Sequence, residues 1–72
     1  MQYAIVIERS PSGFGAYVPD LPGCVAAAET EEEVRDLIRE AIGFHLEGMQ
    51  EDNEPIPEPS ARVDYVEIPH AA

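Results

Sequence analysis

Lysine and tryptophan are absent from these 72 residues, cysteine occurs once, and the only histidines are His45 and His70. Each shortage excludes something. With no Lys, and four Arg set against 15 Asp plus Glu, the formal net charge is −11. Direct nucleic-acid binding is therefore not expected, because it needs cations that neutralise phosphates and release counterions. A single Cys allows no internal disulfide, and no Cys and His spacing resembles a zinc site, so neither a metal nor a cofactor is expected. No stretch approaches the ~20 consecutive apolar residues of a membrane span. The N-terminus lacks the basic region and apolar block of a secretory leader, which suggests a cytoplasmic chain.

Those absences also bear on stability. A chain this short reads as one domain over residues 1–72, and its core supplies only about 3 to 5 kcal/mol of net stability. Without a disulfide or a metal, oligomerisation or a partner is the remaining support, and a homo-dimer or homo-tetramer is expected. Excess acid keeps a small protein soluble. It also favours a basic partner, for which charge complementarity speeds encounter and rejects competitors.

What is present is well punctuated. Residues 2–8 alternate, with Tyr3, Ile5 and Ile7 on one face and Ala4, Val6 and Glu8 on the other, as a strand does. The cluster Arg9-Ser10-Pro11-Ser12-Gly13 predicts a hairpin loop of about five residues, and residues 14–18 resume as a second strand. In Pro19-Asp20-Leu21-Pro22-Gly23-Cys24 two prolines remove backbone donors and Gly23 permits a positive φ, so a turn of fixed shape is expected. Residues 24–28 are the third strand, its side chains small enough for a helix to pack closely.

Thr30 and Glu33 form a Thr-x-x-Glu capping box, and Glu31, Glu32 and Glu33 meet the positive end of the helix dipole. Val34, Leu37, Ile38, Ala41, Ile42, His45, Leu46 and Met49 follow at spacings of three and four, which predicts a helix to about Met49. Their apolar arc is wider than the ~100° that one sheet needs, implying a second burial surface. Gly43 inside the helix costs about 1 kcal/mol relative to Ala; close packing is the expected reason, with use by a partner as the alternative. Residues 51–60, with Pro55, Pro57 and Pro59, form an extended connector. Residues 62–68 read as a fourth strand stopped by Pro69.

The expected fold is α+β, in the order β-β-β-α-β: a three-stranded antiparallel meander, a fourth strand beside and parallel to the first, and one helix on one face. The other face has nothing left in the chain to cover it, and part of it is a candidate oligomer interface.

No constellation points to catalysis. His45 lies within the apolar helical face, where a histidine bonded to backbone is the simpler reading than an acid-base group, and His70 is nearly terminal. Cys24 has no helix start or basic neighbour to lower its pKa, so it reads as a small strand residue. Asp36, Glu40 and Glu47 share one helical edge, as a solvated face does, whereas a two-metal nuclease needs acids converging from several elements. Arg35 and Arg39 stand one turn apart at the border of the apolar arc. Glu31 is placed to pair with Arg35, and ordinary rim salt bridges are the simpler account of both arginines.

The segment Gly15-Ala16-Tyr17-Val18-Pro19-Asp20-Leu21-Pro22-Gly23-Cys24, then Thr30-Glu31-Glu32-Glu33 opening a helix, then Ile56-Pro57-Glu58-Pro59-Ser60, resembles the HicB family of antitoxins. The likeness covers nearly the whole chain and keeps the spacing of the three blocks. It departs where the family usually has a Gly-Asp or similar pair before the Thr, here Ala28-Glu29, and where Glu-Glu-Ala opens the helix, here Glu32-Glu33-Val34. The resemblance implies a partial ribonuclease H-like fold and a non-enzymatic role. It also implies a HicA-like partner, a small basic toxin that cleaves messenger RNA with a histidine and whose active site the antitoxin covers. The residues expected to meet such a partner are Asp20, Glu29, Glu32, Asp36 and Glu40, with Arg35 and Arg39. Full antitoxins of this type usually add a C-terminal DNA-binding domain, so the expectation is the toxin-neutralising module alone. The alternative is an orphan domain acting as a homo-oligomeric scaffold or ligand-binding module.

Overall fold

The computed structural model describes residues 1–70. Its elements are β1 (Val6–Ser10), β2 (Gly13–Tyr17), β3 (Val25–Ala28) and α1 (Glu31–Glu51), and the three strands form an antiparallel sheet in the order β1-β2-β3. Pairing runs from Val6 opposite Tyr17 to Ser10 opposite Gly13, then from Phe14 opposite Ala28 to Tyr17 opposite Val25. The α+β meander with one helix is thus as expected.

Several boundaries differ. The hairpin loop is the two-residue turn Pro11-Ser12, and β1 continues to Ser10. Gly13 makes this possible: it has φ +152°, and a side chain there would run into the Ala28 carbonyl. The ladder starts only at Val6, because opposite Ala4 and Ile5 the chain is already turning at Val18 and Pro19. The Val18 N–H is spent on the Cys24 carbonyl (3.2 Å), and Pro19 has no N–H to give.

Residues 18–24 are two consecutive turns. The Leu21 N–H donates to the Val18 carbonyl (3.0 Å) and the Cys24 N–H to the Leu21 carbonyl (3.1 Å). Each turn has a proline second, and Gly23 in the second turn has φ +86°, the Pro-Gly chemistry of a type II turn. The double turn drives Leu21 into the core at 1% exposure. That core is small: Ala16, Val18, Leu21, Cys24, Val34 and Ile38.

Thr30 caps α1 by accepting the Glu33 N–H (3.1 Å), and its hydroxyl donates to the Glu33 carboxylate (2.9 Å). The helix runs two residues beyond Met49. Its end is a Schellman motif, in which Asn53 has φ 56°, the Asn53 N–H donates to Gln50 and the Glu54 N–H to Met49. Asparagine tolerates this left-handed position, and Pro55 then forbids continuation.

The connector folds back across the body, where the Tyr3 hydroxyl donates to the Pro57 carbonyl and Asp20 accepts hydrogen bonds from Ser60 and Ala61. The expected fourth strand does not form. Residues 62–68 are unpaired, with Val63, Tyr65, Val66 and Ile68 between 60% and 89% exposed. A strand needs a partner edge for its backbone groups, and beyond Ala61 the chain leaves the body. The radius of gyration is accordingly 14.6 Å, with extents of 53 × 27 × 17 Å, against about 11 Å for a compact chain of this length.

The sheet face away from α1 is uncovered. Val6, Tyr17 and Val25 lie in one row across it, and Tyr17 and Val25 are exposed.

A candidate partner-binding surface

Helix α1 presents two flanks of opposite character. With about 100° between successive residues, Val34 and Ile38 point to the core. Arg35 and Arg39 fall on one side of that direction, and Leu37 and Phe44 on the other. The arginine flank faces residues 1–5 across an open groove of about 770 Å³, floored by Ile5, Ile38 and Ile42, with Ala61 at its edge.

The opposite flank combines apolar and acidic groups. Leu37 is 42% and Phe44 73% exposed, and Glu33, Glu40, Glu47 and Glu51 stand beside them by helical position. Gly43 shapes this surface. Close packing does not explain it, since a Cβ at Gly43 would meet nothing within 4 Å. The missing side chain instead leaves a shallow depression lined by Glu40, Gly43, Phe44 and Glu47.

The structure places the residues expected from the sequence in different settings. Glu32, Asp36 and Glu40 are exposed along the solvent side of α1, and Glu29 is exposed in the link before it. Arg35 pairs with Glu31 at 3.3 Å, each 57% exposed, a pair worth a few tenths of a kcal/mol. Asp20 is engaged within the chain: Oδ1 accepts from the Ser60 hydroxyl (2.8 Å), and Oδ2 from the Ser60 and Ala61 N–H groups (3.0 Å each). The Ala61 amide first, then Ser60, hold its carboxyl below the ordinary carboxylate value, because those hydrogen bonds favour the charged form.

Helical periodicity assigned Leu37 to the core, yet it is 42% exposed, and Phe44 beside it is 73% exposed. The signal was present in their spacing of seven residues, which places two large apolar side chains on one line of a helix amid acids.

The remaining candidates for chemistry are unsuited to it. Burial pushes the Cys24 thiol above its usual value, so it is a packed side chain and not a ready thiolate. His45 is half-buried. Among the described residues no three His, Cys, Asp or Glu side chains are grouped to hold a metal ion, and no helix is long and apolar enough to cross a membrane.

Comparison with known proteins places the chain among relatives. Residues 3–70 match the family described as HicB_like antitoxin of bacterial toxin-antitoxin system. The chain is 42% identical over 69 residues to a 14.9 kDa protein from the rep-hol intergenic region of Haemophilus phage HP1, covering 96% of this chain and 52% of that protein. It is 36% identical over 62 residues to a UPF0150 protein of Thermoplasma acidophilum, covering 85% of this chain and 90% of the relative. With Antitoxin HicB 2 of Photorhabdus laumondii it shares 29% identity over 70 residues, covering 96% of this chain and 50% of that antitoxin. It thus spans about half the length of the phage and Photorhabdus relatives. Among solved structures, a chain of a HicA3 and HicB3 toxin-antitoxin complex superposes with a TM-score of 0.71 at 32% identity, covering 83% of this chain and 70% of that one.

Proposed function

The chain belongs to the HicB-like antitoxin family, and we propose that it neutralises a small basic HicA-like toxin by seating it on the acidic, apolar flank of α1, over the toxin's RNA-cleaving site. As a member of an antitoxin family it is a binding protein and not an enzyme.

The observation that carries this reading is the depression at Gly43. A glycine in a helix interior costs about 1 kcal/mol relative to Ala, and nothing in the chain packs against this one. A partner's side chain reaching the helix backbone beside Phe44 accounts for that cost. Phe44 and Leu37 supply desolvated anchors of the aromatic and aliphatic kind that dominate interface energies. Glu40 and Glu47 form an acidic rim suited to a surface that binds RNA phosphates, and a net charge of −11 steers such a partner from a distance.

A docked antitoxin and a docked RNA then compete for one basic surface. The test is RNA cleavage by a HicA-type toxin with the chain added in stoichiometric amounts, together with growth of cells co-expressing the two. The expected outcome is loss of cleavage, restored growth, and competition between RNA and the chain. A toxin that binds the chain yet cleaves at its full rate overturns the covering mechanism; absence of binding to any short basic neighbour overturns the antitoxin role.

A further inference from the structure

The most exposed apolar segment of the molecule and its most cationic groove belong to the same chain without touching. We propose that residues 62–68 are an exchanged strand: two copies of this chain each lay this arm along the open β1 edge of the other, in the groove between residues 1–5 and α1.

The backbone argument comes first. In the order β1-β2-β3 the outer side of β1 is a free edge, a row of unpaired N–H and C=O groups that templates another strand. Residues 62–68 have backbone groups equally in want of a ladder. Seven extended residues reach about 23 Å at roughly 3.3 Å each, enough to run along residues 3–8, the segment leading into β1 and the first three residues of the strand.

The side chains fit as well as the backbone. The groove is floored by Ile5, Ile38 and Ile42 and rimmed by Arg35 and Arg39, two of the four cations in the sequence. In an extended arm the side chains alternate between faces. Val63, Tyr65 and Glu67 fall on one, and Asp64, Val66 and Ile68 on the other. Either face brings two large apolar groups to the floor and one carboxylate to the arginines.

The occupant is a second copy because of where the chain is held. Ser60 and Ala61 are fastened to Asp20, and Ala61 itself lies at the edge of the groove. From that point the chain departs, leaving Tyr65 89% and Val66 79% exposed. An arm that leaves a body bearing its matching seat, beside a hinge at residues 61–62, is the arrangement that reciprocal exchange closes with a two-fold axis. Exchange covers both β1 edges and both arms at once. It also adds apolar burial to a core that has six buried residues among those described.

The full chain alone, with no toxin, is examined by sedimentation velocity from about 1 to about 100 μM, so the result stands apart from the antitoxin reading. The wild type is expected to be dimeric. One variant carries Arg35→Glu with Arg39→Glu, another Asp64→Arg with Glu67→Arg; each is expected to raise the dimer dissociation constant about tenfold or more. All four side chains are exposed, and far-UV circular dichroism confirms that α1 remains folded. Mixing the two variants restores the dimer, since both grooves in the mixed pair then meet an arm of opposite charge. Closure of an arm on its own body gives no such rescue. Val66→Asp, which removes an apolar group from the groove floor, weakens association through lost burial and not through charge. A monomer throughout the range, a dimer indifferent to these changes, or no restoration on mixing overturns the exchange, as does an arm that engages only a different protein.

Discussion

The carboxylate of Asp20 holds Ser60 by both its amide and its hydroxyl, at 3.0 and 2.8 Å, across forty residues of sequence. This contact fastens the proline-rich connector to the double turn at residues 18–24, and with Tyr3 and Pro57 it sets where the arm leaves the body. Asp20→Ala is expected to free residues 57–61 while α1 and the sheet persist. Hydrogen exchange at the Ser60 and Ala61 amides checks this, and protection unchanged from the wild type counts against it.

The same contact carries a pH dependence of defined sign. The folded pKa of Asp20 lies below its ordinary value of 3.8, so the folded state favours the charged carboxylate. Its contribution is fully present above about pH 4 and is lost as pH falls through the lowered folded value. Ser60 and Ala61 amide protection is expected to be level from neutral pH down to about pH 4 and then to fall. In Asp20→Asn, which keeps an acceptor and no charge, that fall disappears.

The double turn carries Leu21 into the core, where it is 1% exposed. Leu21→Ala is expected to cost about 2 to 5 kcal/mol, comparable with the whole stability of a domain this small. Urea denaturation followed by circular dichroism is expected to find it largely unfolded at 25 °C.

Two glycines separate two kinds of backbone cost. At Gly23 a Cβ meets nothing within 4 Å and only the φ of +86° opposes it, so Gly23→Ala is expected to destabilise by about 1 to 2 kcal/mol. At Gly13 the new methyl also collides with the Ala28 carbonyl, a backbone atom that cannot turn aside. Gly13→Ala is expected to cost more than Gly23→Ala in the same denaturation experiment, and the reverse order would refute this account of the hairpin.

Gly43→Ala tests the proposed toxin-binding flank by moving two quantities in opposite directions. Stability is expected to rise by about 1 kcal/mol, because the helix gains propensity and nothing clashes, while affinity for a HicA-like toxin falls. Phe44→Ala is expected to act mainly on dissociation, and Glu40→Lys with Glu47→Lys on association and its salt dependence. Surface plasmon resonance at two ionic strengths distinguishes them.

Much of this was legible because the local chemistry is unambiguous. Thr30 with three following glutamates starts a helix in any surroundings, and Pro-Gly at Pro22 and Gly23 makes the same turn wherever it stands. The family likeness follows from these blocks and their order. The end of α1 was read two residues early, because apolar periodicity stops at Met49 while the helix is closed by the left-handed turn at Asn53.

Tertiary structure decided what depends on a partner across space. Alternation marks residues 2–8 and 62–68 equally as strands, yet a ladder forms only where another edge lies opposite. Residues 6–10 have β2 beside them; residues 62–68 leave the body at Ala61 without meeting the open β1 edge. Likewise periodicity gave Leu37 to the core and left Gly43 to packing, because a helical wheel records direction and not what stands there. The sheet is three strands wide and covers less than the full apolar arc of α1, so Leu37 and Phe44 emerge on one flank and the arginines border a groove on the other. Propensity and turns act over a few residues and are written in the chain, whereas strand pairing and the fate of a surplus apolar face are settled by which surfaces meet.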